Sequence, residues 1–126
     1  MQLEKPSALR RKEIYRYLAC PENSPAADAL LDRCEAELLA AAQPRGVWRI
    51  LPREQAPEAL LLDEGDIARH LEGCSRLVLM AVTLGAGVER LLRRYSATDV
   101  ALATAADAAA SVLVDQMADV LEAHIR

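Results

Sequence analysis

With 126 residues, 52% of them hydrophobic, the chain can bury one core of ordinary size, so a single domain over residues 1–126 is expected and nothing in the composition suggests disorder. Phe is absent and aromatics make up only 3%, so that core must be aliphatic, built from Leu, Val, Ile, Met and much Ala in closely approaching helices. The 15 basic and 19 acidic side chains leave a formal charge of -4, which argues against a sequence-independent nucleic-acid binder, because such proteins display a basic face.

Pro6 and Ser7, the latter as N-cap, predict a first helix over 8–19 with Ile14, Tyr17 and Leu18 on its apolar face. Cys20-Pro21 ends it, and the stretch 21–25, with two prolines, opposes helix continuation. A second helix follows over 26–43, with Ala27, Leu30, Leu31, Cys34, Leu38 and Ala41 as its stripe and Pro44 and Gly46 closing it. Two short runs, 47–51 and 59–62, read as strands of a hairpin with a long loop. Asp63 or Asp66 caps a short helix over 67–71 that stops at Gly73.

The run 76–82 is aliphatic on both faces, as a central strand would be. A glycine-marked turn at 83–87 leads into a helix through Val88, Leu91, Leu92 and Tyr95. Ser96 and Thr98-Asp99 then open an Ala-rich final helix reaching about residue 124. The order predicts an α+β fold, a small sheet packed against several helices. Everything before residue 76 reads as packing for the strand, turn and long helix that follow.

Cys20, Cys34 and Cys74 are odd in number and lack C-x-x-C spacing, which predicts reduced thiols and a cytoplasmic protein. The first six residues lack the apolar core of a signal peptide, and the apolar run 77–82 is too short to cross a bilayer, so no membrane association is expected.

Few constellations carry chemistry. The Thr83-Leu84-Gly85-Ala86-Gly87 turn lies where free N–H groups can meet an anion, but it has neither a P-loop ending nor a third dinucleotide glycine. A turn that simply needs small residues is the plainer reading. His70 and Cys74 are four apart, yet Gly73 intervenes and no second pair follows, so no metal is expected. No Ser/His/Asp set is legible. Along the last helix Asp107, Ser111, Asp115 and Asp119 recur every four residues and share a stripe, while Val112, Leu113, Met117, Val120 and Leu121 form the core side. Such a row is ordinarily a solvated face. Asp107, set among five alanines, is the first candidate for an exception; if buried between helices it would need a partner, which a Ser, Thr or backbone N–H near Thr83 could provide.

The motifs Arg11-Lys12-Glu13-Ile14-x-Arg16-Tyr17-Leu18, Arg45-x-Val47-Trp48-Arg49-Ile50, His70-Leu71-x-x-Cys74 and Ala81-Val82-Thr83-Leu84-Gly85, with Ala118-Asp119 and Ile125-Arg126 on the final helix, resemble the activation-domain-like family of cobalamin-dependent methionine synthase. The resemblance covers nearly the whole chain. It implies a domain that presents S-adenosylmethionine to an oxidised cobalamin held by a partner, a corrinoid methyltransferase or methionine synthase subunit, with electrons supplied from outside, commonly by a flavodoxin. Asp115, then Asp119 and Ser111, become the implied cofactor-facing residues, with Thr83, Gly85 and Asp107 beside them. The family's segment with an Arg followed by Pro-Gly-Tyr and the Asp-x-His-x-x-Gly corrinoid pattern have no counterpart in these residues. The expectation is therefore a shortened, accessory form that meets cobalamin only through a partner and has no autonomous activity. The rival is a non-catalytic α+β interaction module forming a homodimer through its Ala-rich C-terminal helix. Independent catalysis by the 83–87 turn with Asp107 ranks last, because no activated nucleophile is visible.

Overall fold

The structure, a computed structural model, describes residues 1–55 and 73–126. Its elements are α1 (Arg11–Tyr17), α2 (Pro25–Ala41), β1 (Arg45–Pro52), a 3-10 turn at Arg53–Gln55, β2 (Arg76–Thr83), α3 (Ala86–Thr98) and α4 (Val100–Ile125). The described residues thus form an α+β fold with four α-helices and a two-stranded antiparallel sheet. The predicted strand at 59–62, the helix at 67–71 and its Asp63 or Asp66 cap lie outside the described residues. The chain divides into two compact units, Met1–Gly46 with Val82–Arg126, and Val47–Ala81.

In the first unit α4 is the hub, packing against α1, α2 and α3. Asp99 starts it by accepting a hydrogen bond from the Leu102 N–H at 3.1 Å. Its buried side holds Ala105, Ala106, Ala108, Ala109 and Ala110, then Val112, Leu113, Met117 and Leu121. The expected core residue Val120 is instead 40% exposed. At 26 residues α4 is long and apolar enough to cross a membrane, but 56% of that stretch is buried within the protein. Composition alone does not separate a span from the central helix of a core.

Two helix starts differ from expectation. Ser7 does not cap α1, which begins only after Arg10, with no side-chain cap. The lead-in is held from outside: the Leu9 N–H donates to Glu35 of α2 at 2.9 Å, and the Arg10 N–H donates to Gln116 of α4 at 3.0 Å. The expected break after α1 is present, and α2 starts one residue earlier than predicted, at Pro25, with Ser24 accepting from the Ala27 N–H. Proline suits that position because it lacks only an N–H that the helix leaves unpaired anyway. The predicted α2 stripe is buried at Ala27, Leu31, Cys34 and Leu38, and Leu30 and Ala41 are half-buried.

Gly85 takes φ 89°, which only glycine adopts without strain, and Gly87 brings the start of α3 onto the end of α2. A Cβ on Gly87 would stand 2.8 Å from the Ala41 carbonyl oxygen. The N-terminal residues pair with the start of β1, the Leu3 N–H donating to the Pro44 carbonyl at 3.0 Å and the Gly46 N–H to the Met1 carbonyl at 2.8 Å. This pairing is too short to show as a periodic pattern.

In the second unit the described residues are those of β1 from Val47, the 3-10 turn and β2 as far as Ala81. The Arg53 N–H donates to the Ser75 carbonyl at 3.0 Å, and this register sets Ile50 opposite Val78 and Trp48 opposite Met80. Leu51 and Leu77 are buried, with Leu79 packed against them. On the other face Trp48, Ile50, Val78 and Met80 are 40–46% exposed. Among the described residues β2 is therefore not the doubly buried central strand expected of its composition. An aliphatic run reads alike whether one face or both are covered.

α1 closes with Ala19 in the left-handed region at φ 54°. The Ala19 N–H donates to the Arg16 carbonyl at 3.1 Å and the Cys20 N–H to the Tyr15 carbonyl at 3.0 Å, the paired bonds of a glycine-type C-cap. A side chain there costs about 1 kcal/mol. Ala19→Gly is expected to raise stability by roughly 0.5–1 kcal/mol in urea unfolding, and a loss of stability would remove this account of the cap.

Candidate functional site

The predicted site residues fall into two groups. Thr83 and Gly85, on the turn leaving β2, and Ser111, in the middle of α4, line a hollow of about 260 Å³ together with Val82, Leu84, Val88, Glu89, Ala110 and Val114. Small side chains at 110 and 111 let the turn lie beside the helix without filling the space. Val88 was expected only as part of the apolar face of a helix, and Glu89 was not singled out. Their signal was present, since a helix starting at 86 carries its first turn on the same side as the turn before it.

Within the hollow the hydrogen-bonding capacity is partly used. The Gly85 N–H donates to Thr83 Oγ1 at 3.1 Å, so that backbone group is not available to an anion. Ser111 Oγ donates to the Asp107 carbonyl at 3.1 Å, leaving its lone pairs to accept. The Thr83 hydroxyl proton is the side-chain donor left over. Glu89 is the charged residue of the lining, and Asp107 and Asp115 flank Ser111 one turn away on either side. This acid-edged, otherwise apolar hollow favours a cationic ligand over a phosphate.

Asp107, singled out as the candidate exception to a solvated face, is exposed, while its neighbours Ala105, Ala106, Ala108, Ala109 and Ala110 are buried. A run of alanines surrounds the helix in sequence but not in space, and position 107 falls on the outer side. Asp115 and Asp119 are also exposed. Asp119 is drawn to α1, where the Arg10 guanidinium donates to its Oδ2 at 2.7 Å. That bond raises the Arg10 pKa further above its ordinary value, desolvation opposes it, and Asp115 adds a smaller attraction. The acid stripe is thus divided between the hollow and an ion pair. Exposed pairs of this kind contribute little to stability.

Two buried or half-buried polar groups, Gln116 and Arg11, were not anticipated. Gln116 is buried in α4 and is satisfied by the lead-in to α1, accepting from the Arg10 N–H and donating to the Ala8 carbonyl at 3.4 Å. Arg11 joins α1 to α2 through Glu35 at 2.7 Å, Asp32 at 2.8 Å and Asp28 at 3.5 Å, and Tyr15 donates to Asp28. Chiefly the Glu35 hydrogen bond, against a desolvation cost, raises the Arg11 pKa. Cys34 is buried, and desolvation pushes its thiol up, away from reactivity.

Among the described residues no group of three or more His, Cys, Asp and Glu is arranged to hold a metal. His70 lies outside the described residues, and Cys74 is exposed. Neither a protein-family model nor a curated protein matches the sequence.

Tyr95 is 5% exposed, and its hydroxyl is buried without a hydrogen-bond partner among the described residues. Burial first, and the Glu37 carboxylate second, raise its pKa. Because the folded value lies above the unfolded one, this phenol's contribution to stability is complete below about pH 10 and is lost as pH rises through the folded pKa. Tyr95→Phe should keep stability at pH 7 within about 1 kcal/mol of the parent or above it, since the unpaired group carries a desolvation cost. It should also soften the alkaline loss of stability, measured by urea unfolding at pH 7 and above pH 10. A loss of more than about 2 kcal/mol at pH 7 would mean that the hydroxyl has a partner after all.

Proposed function

We propose that this chain is an activation-domain-like accessory protein that helps reductive reactivation of a cobalamin-dependent methyltransferase, binding S-adenosylmethionine together with a partner. What supports the reading is that one motif of the resemblance, the turn after β2, lies against Ser111, one of the residues the resemblance implies. The Thr83-Leu84-Gly85 turn and the final helix share one hollow, and its edge is acidic. S-adenosylmethionine joins a sulfonium cation to an adenine whose ring faces pack on apolar side chains, and Val82, Leu84, Val88 and Val114 beside Glu89 offer surfaces of both kinds. The carboxylates are solvated, so their attraction is screened until a partner covers the hollow and lowers the local dielectric. On this reading the protein supplies half a site and cobalamin arrives on the partner.

Calorimetric titration with S-adenosylmethionine, alone and with a corrinoid methyltransferase and reduced flavodoxin, tests it. Binding is expected only in the combination, and Ser111→Trp, which fills the hollow, should weaken it about tenfold, a change of about 1.4 kcal/mol. Asp115→Asn should weaken it less. No binding in any combination would discard the proposal.

One observation favours a second reading, a non-catalytic interaction module: the exposed sheet face of Trp48, Ile50, Val78 and Met80. The alanines of α4 are occupied by the protein's own core, so self-association through that helix would have to use its outer side. Sedimentation over a concentration series is expected to show self-association that Trp48→Lys abolishes. A monomer at every concentration would remove the homodimer version of this reading.

A further inference from the structure

On the flank of α3 away from the acidic hollow lies a larger cleft, about 690 Å³, between α3 and the end of α2. Its charged and polar lining is Glu37 and Gln43 on one wall and Arg90 and Arg94 on the other. The arginines are one helical turn apart, so their head groups can reach a common point. Arg94 donates to Glu37 Oε2 across the cleft at 2.8 Å. Arg90 has no ion pair or hydrogen bond among the described residues. Its guanidinium folds back over the start of α3, with Nη2 3.8 Å from where a side chain on Gly87 would begin. In a chain of net charge -4 this is a local excess of positive charge with one fork empty.

The third observation is the hydroxyl of Tyr95, buried and without a partner, next along α3 from Arg94, whose guanidinium carbon is 6.0 Å from the Tyr95 ring centre. Glu37 is close enough to act on that phenol. The carboxylate therefore has two potential partners, Arg94, which it uses, and the Tyr95 hydroxyl, which it leaves unused. A buried donor left unmade is costly, and such a cost is intelligible where a second arrangement satisfies it.

We propose that the α2–α3 cleft binds phosphate or a phosphate monoester between Arg90 and Arg94, and that Glu37 then gives up Arg94 and accepts a hydrogen bond from Tyr95. A tetrahedral dianion has enough oxygens to engage both guanidinium forks, whereas a monocarboxylate is used up by one. Release of Glu37 removes the like charge that would otherwise face the ligand. This site is independent of the hollow beside Ser111, and its occupancy does not depend on S-adenosylmethionine or cobalamin.

Titration with inorganic phosphate at neutral pH and constant ionic strength, followed by calorimetry and by nuclear magnetic resonance of the arginine Nε–H and tyrosine signals, tests the proposal. Saturable binding is expected, with Arg90, Arg94 and Tyr95 signals moving together. Arg90→Ala and Arg94→Ala should each weaken it about tenfold, the loss of one charge-assisted fork. Tyr95→Phe should weaken it a few-fold by denying Glu37 its second partner, while Arg16→Ala on α1 should leave it unchanged. Arg90 is exposed, so the variant is expected to fold, which circular dichroism checks. A response equalled by sodium chloride at the same ionic strength, or one retained in full by Arg90→Ala, would overturn the proposal.

Discussion

The structure of the first unit depends on how closely three helices can approach α4. Ala105, Ala106 and Ala109 are at most 1% exposed, and none has a side chain longer than a methyl group. Alanine loses no rotamer freedom on burial and keeps helix backbones near one another, so a core without Phe can still be dense. The larger Leu113, Met117 and Leu121 fill the lower part, where α1 and the start of β1 come in. Gln116 is the buried polar residue in this seam, and its amide is used fully enough to hold the otherwise uncapped start of α1. The same helix thus sets both the packing and the path of the chain leading into it.

The position of α3 follows from that approach and creates two clefts of opposite sign. Glu89 and Arg90 are neighbours in sequence, yet about 100° of helical turn separates them, so they line different flanks. Toward α4 the lining is apolar with an acid at its edge. Toward α2 it is a pair of arginines with one carboxylate between walls. The contact of Gly87 with the Ala41 carbonyl brings the positive end of α3 against the negative end of α2, and the two partial charges attract and neutralise each other there. Lys5 adds a donor at the same end of α2, bonding the Leu39 carbonyl at 2.8 Å. The arginines, rather than the helix start, are therefore the cleft's means of attracting an anion.

The hairpin unit is organised differently. Its small buried cluster of Leu51 and Leu77 is backed by Leu79, and the opposite face presents cross-strand apolar pairs to solvent. Two strands with one apolar face covered are marginal by themselves, which makes the surroundings of this sheet important to its order.

Local chemistry made much of the fold legible. Asp99 as the cap of the last helix, the apolar stripe of α2, the glycine turn at 85 and the buried side of α3 each follow from residue type and spacing, because they are settled within a few neighbours. Ser7 misled for a related reason. Capping depends on where the chain bends, and at α1 that bend is imposed by Glu35 and Gln116, far away in sequence. Asp107 misled because a run of alanines says nothing about which side of a helix a neighbour covers. Of the candidate site, Thr83, Gly85 and Ser111 could be singled out from turn and helix position. The separation of Asp119 from them could not, since it required Arg10 to be brought across from α1. By itself, then, the sequence determined the helices, the turn and the identity of the small residues, all matters of short-range sterics. Which flank each charge faces, which carboxylate meets which arginine and which hydroxyl is left without a partner were decided only by tertiary packing, because they depend on distances between residues that the chain's order does not encode locally.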